Sequence, residues 1–274
     1  MRTIRLLPLA ALAVLHATVQ AQQPTAPSSP DTLARLQAVA GGAQRSDADR
    51  ARDRYRHPVA TLAFFGIRED LTVVEIWPGG GWYTRILAPF LKDKGQLYLA
   101  AYKPGFIIRN ATNAQREGVA AKPEVFGKPV FTVLEKGAYD IAPPGSADLV
   151  LTFRNLHNWM DDGSAEEVIR AMFRALKPGG ALGFVEHRAN PGPQDPRAKS
   201  GYVTEEYTIK LVESAGFRLV AKSEINANPK DTKDHPKGVW TLPPSYALKD
   251  VDREKYAAIG ESDRMTLKFV KPAN

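Results

Sequence analysis

The chain has 274 residues, a formal net charge of +7 and no cysteine. The absence of cysteine excludes disulfides, thiolate metal sites and thiol catalysis. Lysine and arginine are scattered among aspartate and glutamate without interleaved aromatic residues, so the mild basic charge does not indicate a nucleic-acid partner. The length suits one large or one elaborated domain with a sizeable hydrophobic core.

The first residues have the pattern of a secretory signal peptide. Arg2 and Arg5 precede an apolar run over residues 6–14, and Val19-Gln20-Ala21 ends the segment. We expect cleavage after Ala21, which lowers the formal charge to +5, and export, most simply to a bacterial periplasm. The apolar run is too short to anchor the mature protein stably in a membrane.

Two further segments have a composition that predicts irregular structure. Residues 22–45, rich in Pro, Ser, Gln, Ala and Gly, are expected to be a flexible leader with a short helical pattern around Thr32–Ala40.

One α/β domain is expected over 46–274, with a long polar loop at 226–262 before the last strand. Within that loop, Trp240-Thr241-Leu242-Pro243-Pro244 is expected either to cover the sheet as a lid or substrate wall or to be a rigid surface loop.

Strands and helices alternate from residue 71 onward. The predicted strands are 71–76, 96–101, 130–134, 147–153, 181–186, 217–224 and 265–270. The predicted helices are about 82–92, 106–118, 164–176 and 204–215. Right-handed βαβ crossovers predict a parallel sheet with helices on both faces. The last two strands lack an obvious crossover helix between them and are expected to be antiparallel neighbours.

The most informative segment is VVEIWPGGGWYT, at Val73–Thr84. A β-branched run ends in a carboxylate at Glu75, and Gly79, Gly80 and Gly81 follow directly before a helix. Adjacent glycines permit positive φ and close approach of a ligand to the backbone. The pattern therefore favours a turn that binds a ligand over a strand-to-helix turn without one. A carboxylate on an apolar strand must be satisfied by local backbone or by a ligand amine or hydroxyl, and both readings stay open.

Polar residues also follow the fourth and fifth strands. Within Arg154–Trp159, Asn155 and His157 are candidates to position an acceptor, and His157 to deprotonate it. The alternative is that both side chains satisfy loop backbone. Glu186-His187-Arg188 is an equivalent acid/base or substrate patch. The five histidines lie far apart in sequence and form no H-x-x-x-H pair, so no metal site is predicted.

These segments resemble the class I S-adenosylmethionine-dependent methyltransferases. In that family an acidic strand end leads into E/D-x-G-x-G-x-G, which aligns with Glu75–Gly81. Leu176–Arg188 and Glu213–Phe217 are similar to later helix–strand junctions of the family, and the resemblance extends over roughly Phe65–Glu224 and the last strand. More narrowly, the segments EIWPGGGWY, FRNLHNW and VWTLPP resemble a group of exported bacterial proteins predicted to be methyltransferases.

The resemblance implies a Rossmann-like α/β fold, a mostly parallel seven-stranded sheet with an antiparallel last strand and helices on both faces. It also implies S-adenosylmethionine as cofactor and methyl transfer to a small-molecule acceptor. The implied cofactor contacts are Glu75, Trp77, Gly79, Gly80, Gly81, Trp82, Tyr83 and Tyr102. Trp77, Trp82 and Tyr83 are expected to attract the cationic sulfonium, and Tyr102 is expected to lie near the ribose.

Three features depart from the family pattern. Trp77 replaces the first glycine of the motif, and the second strand ends at Tyr102 without the acidic residue that usually holds the ribose. After the third strand, Gly137-Ala138-Tyr139 occupies the region where an acidic side chain often meets the adenine, with Glu135 or Asp140 as substitutes. Each lost hydrogen bond weakens binding by about 1 kcal/mol.

These departures leave a second function open. An exported protein that retained the methyltransferase fold as a non-catalytic ligand-binding module fits the altered contacts and the cytoplasmic origin of the cofactor. A nicotinamide-dependent oxidoreductase is a weaker alternative, because the antiparallel last strand and the incomplete G-x-G-x-x-G pattern argue against it.

Overall fold

A seven-stranded sheet forms the centre of the protein, whose computed structural model describes residues 29–103 and 110–273. The strands are β1 (Thr72–Ile76), β2 (Gln96–Ala101), β3 (Val130–Val133), β4 (Ala147–Phe153), β5 (Leu176–His187), β6 (Arg218–Ser223) and β7 (Arg264–Val270). Their order is β3-β2-β1-β4-β5-β7-β6, and β7 runs antiparallel to both β5 and β6. The pairings of β1 with β2 and β4, of β2 with β3 and of β4 with β5 are parallel. The predicted Rossmann-like methyltransferase fold is confirmed.

Helices flank the sheet and connect its strands. They are α1 (Pro30–Ala40), α2 (Asp47–Arg50), α3 (Asp53–Arg56), α4 (Pro58–Phe65), α5 (Thr84–Leu91), α6 (Asn110–Ala120), α7 (Pro123–Phe126), α8 (Leu156–Asp162), α9 (Ala165–Ala175), α10 (Glu205–Ser214) and α11 (Arg253–Ile259), with a 3₁₀ turn at Gly238–Thr241. In the described ranges, none of these helices is long and apolar enough to cross a bilayer. The proposed signal peptide and residues 22–28 lie outside the described residues.

Alternate residues of each central strand enter two separate cores, as the pleat of a strand requires. Val74 and Ile76 of β1 belong to the core that includes residues of α8 and α9. Val73 belongs to the core on the other face, with residues of α1, α4 and α5. Glu75 is on the same face of β1 as Val73. It pairs with Leu99 of β2 and Leu151 of β4, so it lies on a strand with a neighbour on each side.

The expected flexible leader over 22–45 requires correction from residue 30 onward. Ser29 caps α1 by accepting a hydrogen bond from the backbone N–H of Thr32. Leu36 and Ala40, four residues apart on one helix face, are buried, and α1 packs against α4 and α5. The guanidinium of Arg45 is also buried and donates to the carbonyl of Ala40. Residues 30–45 are therefore part of the folded domain.

The long loop before β7 is tied to the domain by a buried carboxylate. Asp231 accepts hydrogen bonds from the Tyr202 hydroxyl at 2.9 Å and from the backbone N–H of Asp263 at 2.7 Å. The ring of His235 contacts the same carboxylate at 2.8 Å. This loop also contains α11, a seven-residue helix that the sequence analysis does not predict.

Leu36→Ala tests the packing of α1 against the domain. We expect a loss of about 2–5 kcal/mol in the free energy of unfolding, because Leu36 is fully buried. The matched control is Leu33→Ala in the same helix, where the side chain is 38% exposed and the loss should stay within about 0.5 kcal/mol. Urea unfolding of both variants measures the difference; equal, small losses would mean that α1 does not pack on the domain in solution.

Candidate functional site

A cavity of about 470 Å³ opens above the carboxyl ends of β1, β4 and β5. It lies beside the point where the strand order reverses around β1, the usual ligand position in sheets of this type. Its volume is within the range of about 300–1,000 Å³ that is usual for small-molecule sites. Another cavity, of about 420 Å³, lies at the opposite edge of the sheet and contains none of the predicted site residues among its lining.

The glycine turn after β1 leaves open space above its backbone. A Cβ atom added at Gly79 or Gly80 would meet no atom of the described residues within 4 Å, and both glycines line the cavity. Gly81 has a different role, because a Cβ atom there would lie 2.7 Å from Cγ of Gln115. Gly79 and Gly81 have φ of +56° and +79°, which favours glycine at both positions. The turn therefore offers a bare-backbone cradle at Gly79 and Gly80.

Glu75 lies buried at the floor of the cavity next to this cradle. The Thr84 hydroxyl donates to its carboxyl group at 2.6 Å, and Nε2 of Gln115 donates to the same hydroxyl at 2.9 Å. Burial raises the pKa of Glu75 to about 7, against the opposing effects of the Thr84 hydrogen bond and the Arg85 charge. Near neutral pH the group is thus close to its midpoint and gains a negative charge readily when a cation approaches.

Trp77 forms the side of the cavity nearest β2 and β3. Its Nε1 donates to the carbonyl of Leu134 at 2.9 Å, and its ring centroid lies 4.4 Å from that of Tyr102 and 5.6 Å from that of Trp159. A φ of +45° is strained for a residue with a bulky side chain. The indole therefore lies between the cavity and Tyr102. Among the described residues, Trp77 lines the cavity and Tyr102 does not. The cradle at Gly79 and Gly80 remains open.

The two aromatic residues after the glycines already have partners. The guanidinium carbons of Arg45 and Arg56 lie 4.8 and 4.7 Å from the ring centroid of Trp82. Two cations therefore already contact the Trp82 ring, and contact of this ring with a sulfonium stays a prediction. Tyr83 stacks on Phe153 with centroids 3.6 Å apart, and burial raises the pKa of Tyr83 to about 12. Both rings line the cavity as packed walls.

Asn155 joins the ends of β1 and β4. Its Nδ2 donates to the carbonyl of Ile76 at 3.0 Å and to the Thr152 hydroxyl at 3.2 Å. The amide nitrogen therefore holds two strand ends together, which is the structural alternative that the sequence left open. Contact between Asn155 and an acceptor stays a prediction.

His157 belongs to a buried polar group with Glu186 and His187. Nδ1 of His157 lies 3.1 Å from Oε1 of Glu186, and its Nε2 lies 3.0 Å from Nδ2 of Asn158. Since the side-chain nitrogen of Asn158 can only donate, Nε2 of His157 accepts from it, and this assignment makes Nδ1 the donor to Glu186. His157 and His187 both line the cavity, so the two patches that the sequence treated separately form one group.

Possible ligand atoms of His157, Glu186 and His187 lie within 4.8 Å of one another. The sequence does not predict this spacing, because His157 lies 29 positions from Glu186. The nearby positive charges of Arg264 and Arg154 oppose a metal dication. Burial, then the charges of His157, Arg264 and Arg154, hold the pKa of His187 well below its usual range. Glu186 already accepts from His157 and from the backbone N–H of His187. We interpret the group as a buried hydrogen-bond network at the cavity.

Arginine side chains are the main feature of the cavity that the sequence analysis missed. Arg52, Arg56, Arg154 and Arg264 line it and surround Glu261. The alternating Arg and Asp residues at 47–56 predict a solvated helix face, yet Arg56 is 3% exposed. Its partner Glu261 lies 205 positions away, so no local pattern reveals the pair.

Comparison with known proteins agrees with the fold. Residues 74–184 match the family model described as a methyltransferase domain. The structure is similar to a SAM-dependent methyltransferase from Aquifex aeolicus, with 14% identity, coverage of 89% of this chain and 99% of that chain, and a TM-score of 0.54. It is also similar to the [4+2]-cyclase SpnF, with 18% identity, coverage of 89% and 94%, and a TM-score of 0.56.

At these identities the similar structures establish the fold alone. No curated protein matches the chain. The family match over 74–184 and the fold together support the resemblance to class I S-adenosylmethionine-dependent methyltransferases.

Glu75→Gln tests the buried carboxyl group through the pH dependence of stability. The pKa of Glu75 is about 7 in the folded protein and lower in the unfolded chain. The protonated carboxyl group therefore contributes its full share of the free energy of unfolding below the unfolded pKa, and this share is lost as the pH rises through 7. We expect the variant to gain stability relative to the wild type between about pH 5 and pH 8, by at most about 3 kcal/mol.

Urea unfolding at both pH values measures this difference. Glu254→Gln, at an exposed glutamate of α11, is the control and should follow the wild type at both pH values. A wild-type and Glu75→Gln difference that is the same at both pH values would contradict the raised pKa.

Proposed function

We propose that this protein transfers a methyl group from S-adenosylmethionine to a small-molecule acceptor. The family match and the fold indicate S-adenosylmethionine as the cofactor. The observation that carries the proposal is the open cradle at Gly79 and Gly80 directly beside the buried Glu75 carboxyl group. Backbone without side chains and an ionisable carboxyl group are what the amino-acid end of this cofactor requires.

The residues of the β1 turn fit the cofactor in separate roles. Backbone at Gly79 and Gly80 would accommodate its amino-acid part, and Glu75 would orient the ammonium group directly or through water. An ammonium near Glu75 favours the ionised carboxylate, and a pKa of about 7 makes that ionisation accessible at neutral pH. When bound, the cofactor supplies an electrophilic methyl group on a sulfonium.

The group at the ends of β4 and β5 would manage the acceptor. Glu186 holds the ring of His157 through Nδ1, which leaves Nε2 as the atom that can take a proton from a hydroxyl or amine. Asn158 contacts Nε2, so an acceptor must replace or bridge that contact. Most of the rate in such an in-line displacement comes from proximity and orientation, and the rigid strand ends supply both.

The second candidate is a ligand-binding module that retains the fold without methyl transfer. Two observations support the ligand-binding module as a second candidate. SpnF, whose structure is similar, is a [4+2]-cyclase, so this fold by itself does not fix the reaction. Trp77 also occupies the side of the site toward β2 and β3, where the family pattern has its first glycine.

Export and membership in the exported bacterial group are part of the proposal. They are supported by the signal-peptide pattern of residues 1–21 and by the three sequence segments that resemble that group. Mass spectrometry of the mature protein from its source tests cleavage after Ala21; an intact N-terminus in the cytoplasm would contradict it.

Gly80→Leu tests the cradle. The position has room for a side chain and no positive φ, so we expect the variant to fold normally while the leucine fills the space meant for the ligand. Calorimetric titration with S-adenosylhomocysteine should give saturable binding to the wild type and binding weakened by at least about tenfold in Gly80→Leu.

Gly118→Leu is the matched control, because that glycine is exposed on α6 and a Cβ atom there also meets nothing within 4 Å. It should bind like the wild type. Equal affinity of Gly80→Leu and the wild type would contradict the placement of the cofactor. No binding to the wild type at millimolar ligand would favour the binding module.

A further inference from the structure

Four arginines lie around a single carboxylate, that of Glu261, at one side of the cavity. Arg52 donates through Nε to Glu261 at 2.6 Å, Arg56 donates through Nε at 3.2 Å, and Arg264 donates through Nη2. The charge of Arg154 acts on the same carboxylate. We call Arg52, Arg56, Arg154 and Arg264 the arginine cluster. Its members come from the segment 52–56, from the end of β4 and from the start of β7.

Arg154 is the member without a partner. It is half-buried and lines the cavity, and its guanidinium makes no hydrogen bond or ion pair with any described residue. Its backbone has a φ of +62°, strained for a side-chain-bearing residue. Burial and the charge of Arg264 lower the pKa of Arg154 to about 10, so it remains cationic at neutral pH. Its guanidinium carries five N–H donors, and none of them has an acceptor among residues 29–103 and 110–273.

Arg264 also has unused donor capacity. Its Nε is buried and has no hydrogen-bond partner in the described part of the chain. Buried polar groups are nearly always paired, so an unpaired guanidinium N–H beside a cavity indicates a missing acceptor.

The carboxylates around the cavity do not balance this charge. Asp49 is paired with Arg85 at 2.8 Å, and the carboxyl group of Glu186 lies against His157 and the backbone N–H of His187 rather than against an arginine. Glu75, with a pKa of about 7, carries only part of a charge at neutral pH. The cavity is therefore positive, which opposes the entry of a cation such as a sulfonium unless an anion is also present.

We propose that the arginine cluster binds a carboxylate or phosphate group of the methyl acceptor, with Arg154 as its principal contact. This inference rests on the proposed methyl transfer. Guanidinium groups bind both kinds of oxyanion in bidentate geometry, and partial burial strengthens the contact. An anionic acceptor also places negative charge near the site of the sulfonium, so one ligand offsets the repulsion that the cluster exerts on the other.

Inorganic phosphate and acetate are the probes for the test, because they carry the two oxyanions without the rest of an acceptor. Binding is measured by calorimetry at constant ionic strength with chloride as the background anion, first alone and then with S-adenosylhomocysteine at saturation. We expect one or both probes to bind in either condition. The stronger probe distinguishes a phosphorylated from a carboxylated acceptor.

Arg154→Gln should weaken binding of that probe by at least about tenfold. The control is Arg170→Gln, at an exposed arginine of α9 that pairs with Glu166 outside the cavity, and it should bind like the wild type. The thermal midpoint of ligand-free Arg154→Gln should equal or exceed that of the wild type, because the change removes like-charge repulsion and breaks no hydrogen bond. A purely structural role for Arg154 would lower that midpoint.

Three results would overturn the proposal. The first is that neither probe binds, or that both bind Arg154→Gln as tightly as the wild type. The second is competition between the probe and S-adenosylhomocysteine, which would assign the arginine cluster to the cofactor's own carboxylate. The third is probe binding that depends on Arg154 in a protein that does not bind S-adenosylhomocysteine. That result would leave an anion site but remove both methyl transfer and the acceptor role.

Discussion

Three arginine side chains from two distant parts of the chain donate to one buried carboxylate, that of Glu261. Burial alone would raise the pKa of Glu261, but the charges of Arg264 and Arg56 hold it well below its usual range. This contact fastens the helices before β1 to the start of β7, and so closes one side of the cavity. Removing one partner from such a buried group costs about 3–5 kcal/mol, so the shape of the site depends on this carboxylate.

Residues with strained backbone and residues with unpaired hydrogen-bond donors both line this cavity. Trp77 after β1 and Arg154 after β4 both have positive φ, at the ends of two paired strands. Strained residues of this kind persist where the surrounding structure holds them and often mark ligand sites. Here one strained residue carries the indole that narrows the cavity, and the other carries an unpaired guanidinium. The cradle at Gly79 and Gly80 lines the same cavity as both residues, which links the proposed cofactor position to the proposed anion position.

The sequence predicts the fold well and the site only in part. The β-branched strands and the glycine turn follow local rules, so the sequence predicts the sheet and the position of Glu75 on its first strand. Helix α8 was missed because seven residues are too few for a clear helical period. The polar composition of 22–45 concealed the buried face of α1 that includes Leu36. The pairing of Arg56 with Glu261 joins residues 205 positions apart and cannot be read from either neighbourhood.

A crystal structure of the protein with S-adenosylhomocysteine would test most directly whether the backbone after β1 forms the cofactor cradle. We expect the amino-acid end of the ligand above Gly79 and Gly80, near the carboxyl group of Glu75, with Trp77 at the edge of the site. Density for the ligand at another place, or a Trp77 ring filling the space above the glycines in crystals grown with millimolar ligand, would contradict methyl transfer by this site.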